Sequence, residues 1–219
     1  MGSIMSNSKT LKRYYNKLLK TFGPQRWWPG DGPFEVMVGA VLTQNTNWGN
    51  VEKAINNLKQ AGKLNAPAIH KMRQDQLAGL IRPSGYFNIK ARRLKNLIKW
   101  FVDRFDGEIE KMFSRDLQSL REELLSVKGI GPETADSILL YAGNLPTFVV
   151  DAYTYRVLVR HRLIPEESTY HDMKFFFEES LPRDADMYNE YHALLVRVGK
   201  TYCKPREPSC EVCPLYEFL

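Results

Sequence analysis

Asp151 stands just after the apolar run Phe148-Val149-Val150 and just before a helical stretch holding Tyr153, Tyr155 and Val157. A lone carboxylate in that position either caps the helix through a side-chain oxygen or serves as a reactive group beside a bound substrate. Upstream lies Lys128-Gly129-Ile130-Gly131, too short for a strand turn and set between two apolar-periodic segments. Leu120, Leu124, Leu125 and Val127 precede it, and Ala135, Ile138, Leu139 and Ala142 follow at helical spacing. Pro132 falls in the first turn of the second helix, where a missing N–H carries no penalty. The two glycines leave backbone N–H groups bare at that helix's positive end, so an anion can approach closely. The same spacing also describes a plain helix–turn–helix corner. A hairpin that grips phosphate and a carboxylate that does chemistry beside it would together act on a phosphate-linked polymer. A third chemical group closes the sequence: three cysteines within the last seventeen residues argue against a disulfide scaffold and for a reducing compartment or a metal site.

Helices must position these groups. The periodicity predicts them over Leu11–Phe22, Phe34–Leu42, Val51–Ala61, Gln74–Ile81, Lys90–Phe105 and Asp116–Val127. Beyond the hairpin the same pattern covers Pro132–Ala142, Asp151–His161, Tyr170–Leu181 and Met187–Tyr202. The short run Thr147–Val150 is the one segment with a competing strand pattern. The 219 residues suffice for one large or two small cores, and no apolar run reaches the length of a membrane span. Nothing at the N-terminus reads as a signal peptide, and Met1 to Ile4 reads as a cloning remnant before Met5. The expected location is the cytoplasm, associated with a prokaryotic nucleoid.

A net charge of +6 suits a polyanion partner. Lys90, Arg92, Arg93, Lys95 and Lys99 crowd one helical segment, and Arg156, Arg160 and Arg162 follow Asp151. Such runs are also what a solvated helix face looks like. The four histidines, His70, His161, His171 and His192, share no metal-ligand spacing and read as ordinary surface or core residues. Glu133 and Asp136 either favour a helix N-terminus through its dipole or, if close to Asp151, raise the proton affinity of at least one carboxylate by repulsion.

From Val127 to Asp151 the chain resembles the helix-hairpin-helix and the Gly/Pro-Asp element of the endonuclease III superfamily of DNA glycosylases, and the likeness extends over roughly Trp27 to Cys213. Trp27-Trp28-Pro29, Leu42-Thr43-Gln44-Asn45-Thr46 and the block from Arg82 to Leu94 are most similar to the endonuclease III-like 3-methyladenine DNA glycosylases. The resemblance implies an all-α, two-lobed helix-hairpin-helix glycosylase fold. A helical barrel would span residues 25–141, and a discontinuous domain residues 1–24 plus 142–219. Duplex DNA would be the partner of a monomer, with the flipped base held between the lobes.

By that likeness Asp151 is the catalytic carboxylate, stabilising oxocarbenium charge and orienting or activating water. Lys128, Gly129, Ile130 and Gly131 would hold phosphate. Trp28 and Trp48 would stack on the extruded base, with Glu133 beside them in the pocket, and a cationic alkylated purine gains cation–π attraction there. Gln44 and Asn45 fall where the family fills the hole left in the duplex, although endonuclease III has Gln where this chain has the shorter Asn45. Members that also cut the strand carry a Schiff-base lysine at the position of Glu133; glutamate cannot form that adduct, so no AP lyase activity is expected. Cys203-x6-Cys210-x2-Cys213 matches three ligands of the family's [4Fe-4S] loop, whose fourth position falls on Leu219. The resemblance leaves two states open, a cluster lacking one protein thiolate or none. The expected activity is a monofunctional glycosylase for alkylated purines such as 3-methyladenine. The alternatives are an endonuclease III-type enzyme for oxidised or mismatched bases and an inactive DNA-binding protein.

Overall fold

Among the described residues, Asn, Asp or Thr side chains cap the starts of six helices, and Lys90 and Lys95 donate to carbonyls at the ends of two helices. The computed structural model describes the backbone of residues 2–219 and the side chains of residues 7–219. Met1, the first residue of the expected cloning remnant, lies outside the described residues. Two compact units emerge, one from Pro29–Leu145 and one from Met1–Trp28 with Pro146–Leu219; the boundaries expected from sequence were residues 25 and 141.

In the first unit α2 (Pro33–Leu42) is buried along Val36 to Leu42, as an apolar run without polar interruption must be. It packs with α3 (Trp48–Gln60), α6 (Phe87–Phe105), α9 (Pro132–Ser137) and a π-helical turn, Ile138–Ala142, that continues α9. α6 buries Ala91, Leu94, Leu97, Ile98, Phe101 and Phe105, an i, i+3, i+4 stripe. The remaining helices are α4 (Ala66–Lys71), α5 (Gln74–Leu80), α7 (Ile109–Phe113) and α8 (Leu117–Ser126). Asn47, Asn65 and Asp116 cap α3, α4 and α8 with side-chain oxygens. α4 and α7 have no counterpart among the predicted helices; five or six residues show too little periodicity to stand out.

The second unit holds α1 (Gly2–Phe22), α10 (Ala152–Arg160), α11 (Tyr170–Ser180) and α12 (Ala185–Thr201). Its core is aromatic. Phe148 stacks on Phe177 with ring centroids 3.9 Å apart, and Tyr188 and Tyr191 meet it edge-on at 5.3 and 6.1 Å. The segment Thr147–Val150 forms no strand. The Phe148 N–H donates to Glu178 Oε1 at 2.8 Å, and Lys174 donates to that same oxygen and to Thr147 Oγ1. Side chains of α11 thus satisfy a backbone that a neighbouring strand would otherwise have to pair. Among the described residues the fold is all-α, and no helix is long and apolar enough to cross a membrane.

Candidate active site

Asp151 is the N-cap of α10. Its Oδ1 accepts from Thr154 N at 2.8 Å and from Thr154 Oγ1 at 3.0 Å, so the capping role open to it in sequence is taken up by one oxygen. The other oxygen faces the α12 residue His192, whose Nε2 lies 3.5 Å from Oδ2. That distance is an electrostatic contact, longer than a normal hydrogen bond. Only 13% of the Asp151 side chain is exposed. Burial pushes the carboxyl up, but His192 and the Thr154 donors outweigh it and hold the group below its ordinary value. Two features fix the geometry. Phe148-Val149-Val150 are anchored in the aromatic core just before the cap. Gly199 of α12 lets α10 approach closely, since a Cβ there would sit 2.5 Å from Tyr153 Cδ1. His192 gave no signal of spacing in the sequence; a histidine flanked by the buried Tyr191, Ala193 and Leu194 was the available hint.

In the other unit the hairpin is a tight turn closed by Ile130 N–H donating to Val127 O at 3.0 Å. Gly129 has φ 102°, where a side chain is strained, and a Cβ would overlap Arg93 Cγ. Lys128 is exposed and Gly129 and Gly131 are half-buried, whereas the Ile130 side chain is buried and its N–H is engaged. α6 holds the turn from behind: Asn96 Nδ2 donates to Lys128 O at 2.9 Å, and Arg93 Nη1 donates to Gln44 Oε1 at 2.5 Å. Gln44 Nε2 in turn donates to Thr134 Oγ1 at 2.9 Å and to Gly129 O at 3.3 Å. Gln44 therefore ties the loop after α2 to the hairpin, while Asn45 beside it is exposed and left-handed at φ 53°.

Lys90 is buried and donates to Leu42 O and Ser84 O, both at 2.7 Å. Desolvation, with Arg93 adding to it, pushes its ammonium down from 10.5 to about 8. It joins the carbonyl end of α2, just before the Asn45 loop, to the turn that leads into Tyr86. Tyr86 is 68% exposed at φ 45° and precedes α6 directly. Sequence reasoning passed over it; an exposed aromatic on left-handed backbone is what marks it.

Trp27 and Trp28 are half-buried, joined by a cis peptide bond, with rings edge-on at 5.9 Å. Lys200 Nζ lies 5.8 Å from the Trp27 ring and 5.9 Å from the Tyr153 ring. Trp48 is half-buried at the start of α3, and Glu133 is exposed in the first turn of α9. Asp136 is elsewhere employed: fully buried, it pairs with Arg121 through bonds of 2.7 and 3.0 Å.

The basic runs are less solvated than their spacing suggested. Lys95 closes the end of α4 through three backbone carbonyls, Ile69, His70 and Met72. Arg156 reaches Cys203 O and Gly199 O; Arg160 reaches Lys204 O, Pro205 O and Cys203 Sγ. Arg92, Lys99 and Arg162 stay exposed.

Cys203, Cys210 and Cys213 line one cavity of about 20 Å³, together with Val157, His161 and Leu219. Burial raises the Cys213 thiol, and the neighbouring Cys203 and Cys210 add to it. Among the described residues no three His, Cys, Asp or Glu side chains gather to hold a single metal ion. The donor set is thus three thiols around a shared space, with an apolar side chain at the fourth expected position. With Leu219 there, the set does not fit a four-thiolate cluster.

An all-α fold with a glycine hairpin between two helices and a buried aspartate capping a later helix defines a helix-hairpin-helix DNA glycosylase. The chain belongs to the HhH-GPD superfamily of base excision DNA repair proteins, which it matches over residues 38–183, and it is a DNA glycosylase of base excision repair. It is 48% identical over 208 residues, 94% of either chain, to a Methanocaldococcus jannaschii protein provisionally described as a DNA repair glycosylase. Endonuclease III of Thermotoga maritima is 28% identical over 187 residues, 83% of this chain and 79% of that one. The crystal structure of H. pylori 3-methyladenine DNA glycosylase bound to 1,N6-ethenoadenine superposes with a TM-score of 0.74 at 34% identity, covering 90% of this chain and 97% of that one.

Proposed function

We propose that the protein is a monofunctional glycosylase that hydrolyses the N-glycosidic bond of an alkylated purine, of the 3-methyladenine kind, and leaves the abasic strand intact. The observation that carries this reading is Glu133. It sits exposed in the first turn of α9, where a strand-cutting relative needs a lysine amine to form a Schiff base with the sugar. The likeness to a 3-methyladenine glycosylase supports the substrate class.

In this reading Asp151 supplies the chemistry. Its ionised Oδ2 stabilises positive charge growing on the sugar as the base departs and orients the attacking water. Lys128 and the backbone at Gly129 and Gly131 hold phosphate, as a monomer's grip on duplex DNA requires. Asn45 and Tyr86, two exposed side chains on left-handed backbone, enter the stack, with Asn45 filling the space of the extruded base. Trp28 and Trp48 offer π surfaces to a cationic purine, for which binding needs few polar contacts. A cluster bound by Cys203, Cys210 and Cys213 would act structurally, cross-linking the loop that carries Lys204 and Arg206.

Oligonucleotide duplexes bearing one lesion each decide the substrate. Release of 3-methyladenine with no strand cleavage is expected, together with no covalent adduct under borohydride. A strong borohydride-trapped adduct, or release confined to oxidised pyrimidines, would overturn the reading in favour of the endonuclease III type.

A further inference from the structure

His192 enters none of the roles above, yet it is 5% exposed and its Nε2 stands 3.5 Å from the one Asp151 oxygen that α10 does not use. The two oxygens of Asp151 have unlike surroundings. Oδ1 accepts twice from Thr154 and is fixed by the cap. Oδ2 is the oxygen left to face substrate, and a carboxylate so buried is driven toward its neutral form unless something answers its charge. A neutral acid cannot stabilise a sugar cation. Among the described residues the groups acting on the Asp151 charge are His192 from α12 and Thr154 from α10, and of these His192 faces Oδ2.

We propose that His192 is a positioning residue of the glycosylase reaction, keeping Oδ2 of Asp151 ionised and aimed while Oδ1 is held by the helix cap. The packing is built for this contact. Gly199, two turns along α12 from His192, removes the side chain that would push α10 and its cap away from α12. An Nε2–H directed at Oδ2 favours the carboxylate over the neutral acid. His192 need not touch substrate.

The inference rests on Asp151 as the catalytic carboxylate but on no particular lesion. It is tested on the full chain by carboxyl-carbon NMR of labelled aspartate, the Asp151 signal being assigned by its loss in Asp151→Asn. The Asp151 midpoint is expected to rise by on the order of one pH unit in His192→Phe, with His192→Gln, which keeps an N–H donor, falling between that variant and the wild type. Equal midpoints in all three proteins overturn the proposal. If His192→Phe does not fold, His192→Gln alone decides, by a midpoint above that of the wild type or equal to it. Base release is then followed against pH in the same proteins. Its acid limb should move to higher pH together with the NMR midpoint, while the plateau at neutral pH, where the carboxylate is ionised in every variant, reports only how well Oδ2 is aimed. A limb that stays put while the midpoint moves refutes the catalytic reading of Asp151 and leaves the His192 contact standing.

Discussion

Asp136, in the second turn of α9, and Asp151, the cap of α10, are both aspartates withdrawn from solvent, one in each unit, and they have opposite fates. Asp136 meets Arg121 with both oxygens, at 2.7 and 3.0 Å, so its charge is matched by a fixed guanidinium fork. Nothing remains on it to offer a substrate. Asp151 gives one oxygen to Thr154 and leaves the other beside an imidazole at 3.5 Å. The first arrangement locks α8 against α9; the second keeps a carboxylate ionised without satisfying it. On the proposed reading of Asp151, reactivity follows from incomplete pairing more than from burial.

The contrast is broken most sharply by the same substitution at both sites. Asp151→Asn keeps a good N-cap acceptor, so stability should change by about 1 kcal/mol or less, while base release should fall on the order of 10³-fold or more. Asp136→Asn should remove the carboxylate charge from the buried pair with Arg121, at roughly 3–5 kcal/mol of stability, with turnover per folded molecule nearly unchanged. Urea melts and single-turnover base release measure both. Stability lost at Asp151, or turnover lost at Asp136, would erase the distinction.

Lys90 extends the comparison to cations, because its charge too is given over to the fold. Lys90→Met should strand two buried carbonyls and destabilise by about 1–3 kcal/mol for each. It should also loosen Asn45 and Tyr86, the side chains proposed to enter the duplex. The pH dependence has a definite sign. The folded state gives up the Lys90 proton near pH 8, whereas the unfolded chain keeps it to about 10.5. Between those values the unfolded chain binds more protons, so stability rises with pH. The penalty for holding a buried ammonium is complete below pH 8 and disappears as pH climbs toward 10.5. The wild type should therefore gain stability relative to Lys90→Met across that window in buffered denaturation curves. A difference that is flat with pH would mean the ammonium is not desolvated.

Much of this was written in local pattern. The glycine hairpin, the longer helices and an aspartate at a helix start are all short-range features, and periodicity or capping chemistry exposes them. What stayed hidden depends on partners far along the chain. His192 lies on α12, well separated in sequence from Asp151, and nothing around it marks a carboxylate as its neighbour. Asp136 read as a dipole-stabilising charge because Arg121 sits on the preceding helix, where it looks like any solvated arginine. Lys90, Lys95, Arg156 and Arg160 read as members of exposed runs because their targets are mainly backbone carbonyls, which leave no trace in side-chain identity. Gln44 and Asn45, adjacent and both polar, were given one role; a left-handed φ at Asn45 turns their side chains to different tasks.

The smallest effect separates cations that serve DNA from those that serve the fold. Lys128 is exposed in the hairpin, whereas Arg160 is bonded to Lys204 O at 2.6 Å, to Pro205 O at 2.8 Å and to Cys203 Sγ at 3.2 Å. Each phosphate contact releases counterions, so Lys128→Ala should weaken binding uniformly across sequences and lower the slope of log affinity against log salt by about 1. Arg160→Ala removes an equal charge from the protein as a whole, yet its slope should match the wild type. Its loss should appear in the cysteine loop: with three bonds gone, Cys203 should react faster with a thiol reagent, and stability should fall by about 1 kcal/mol. If both variants lowered the slope alike, Arg160 would have to leave its carbonyls for phosphate when DNA binds, and the division between committed and available charge would hold only in the free protein.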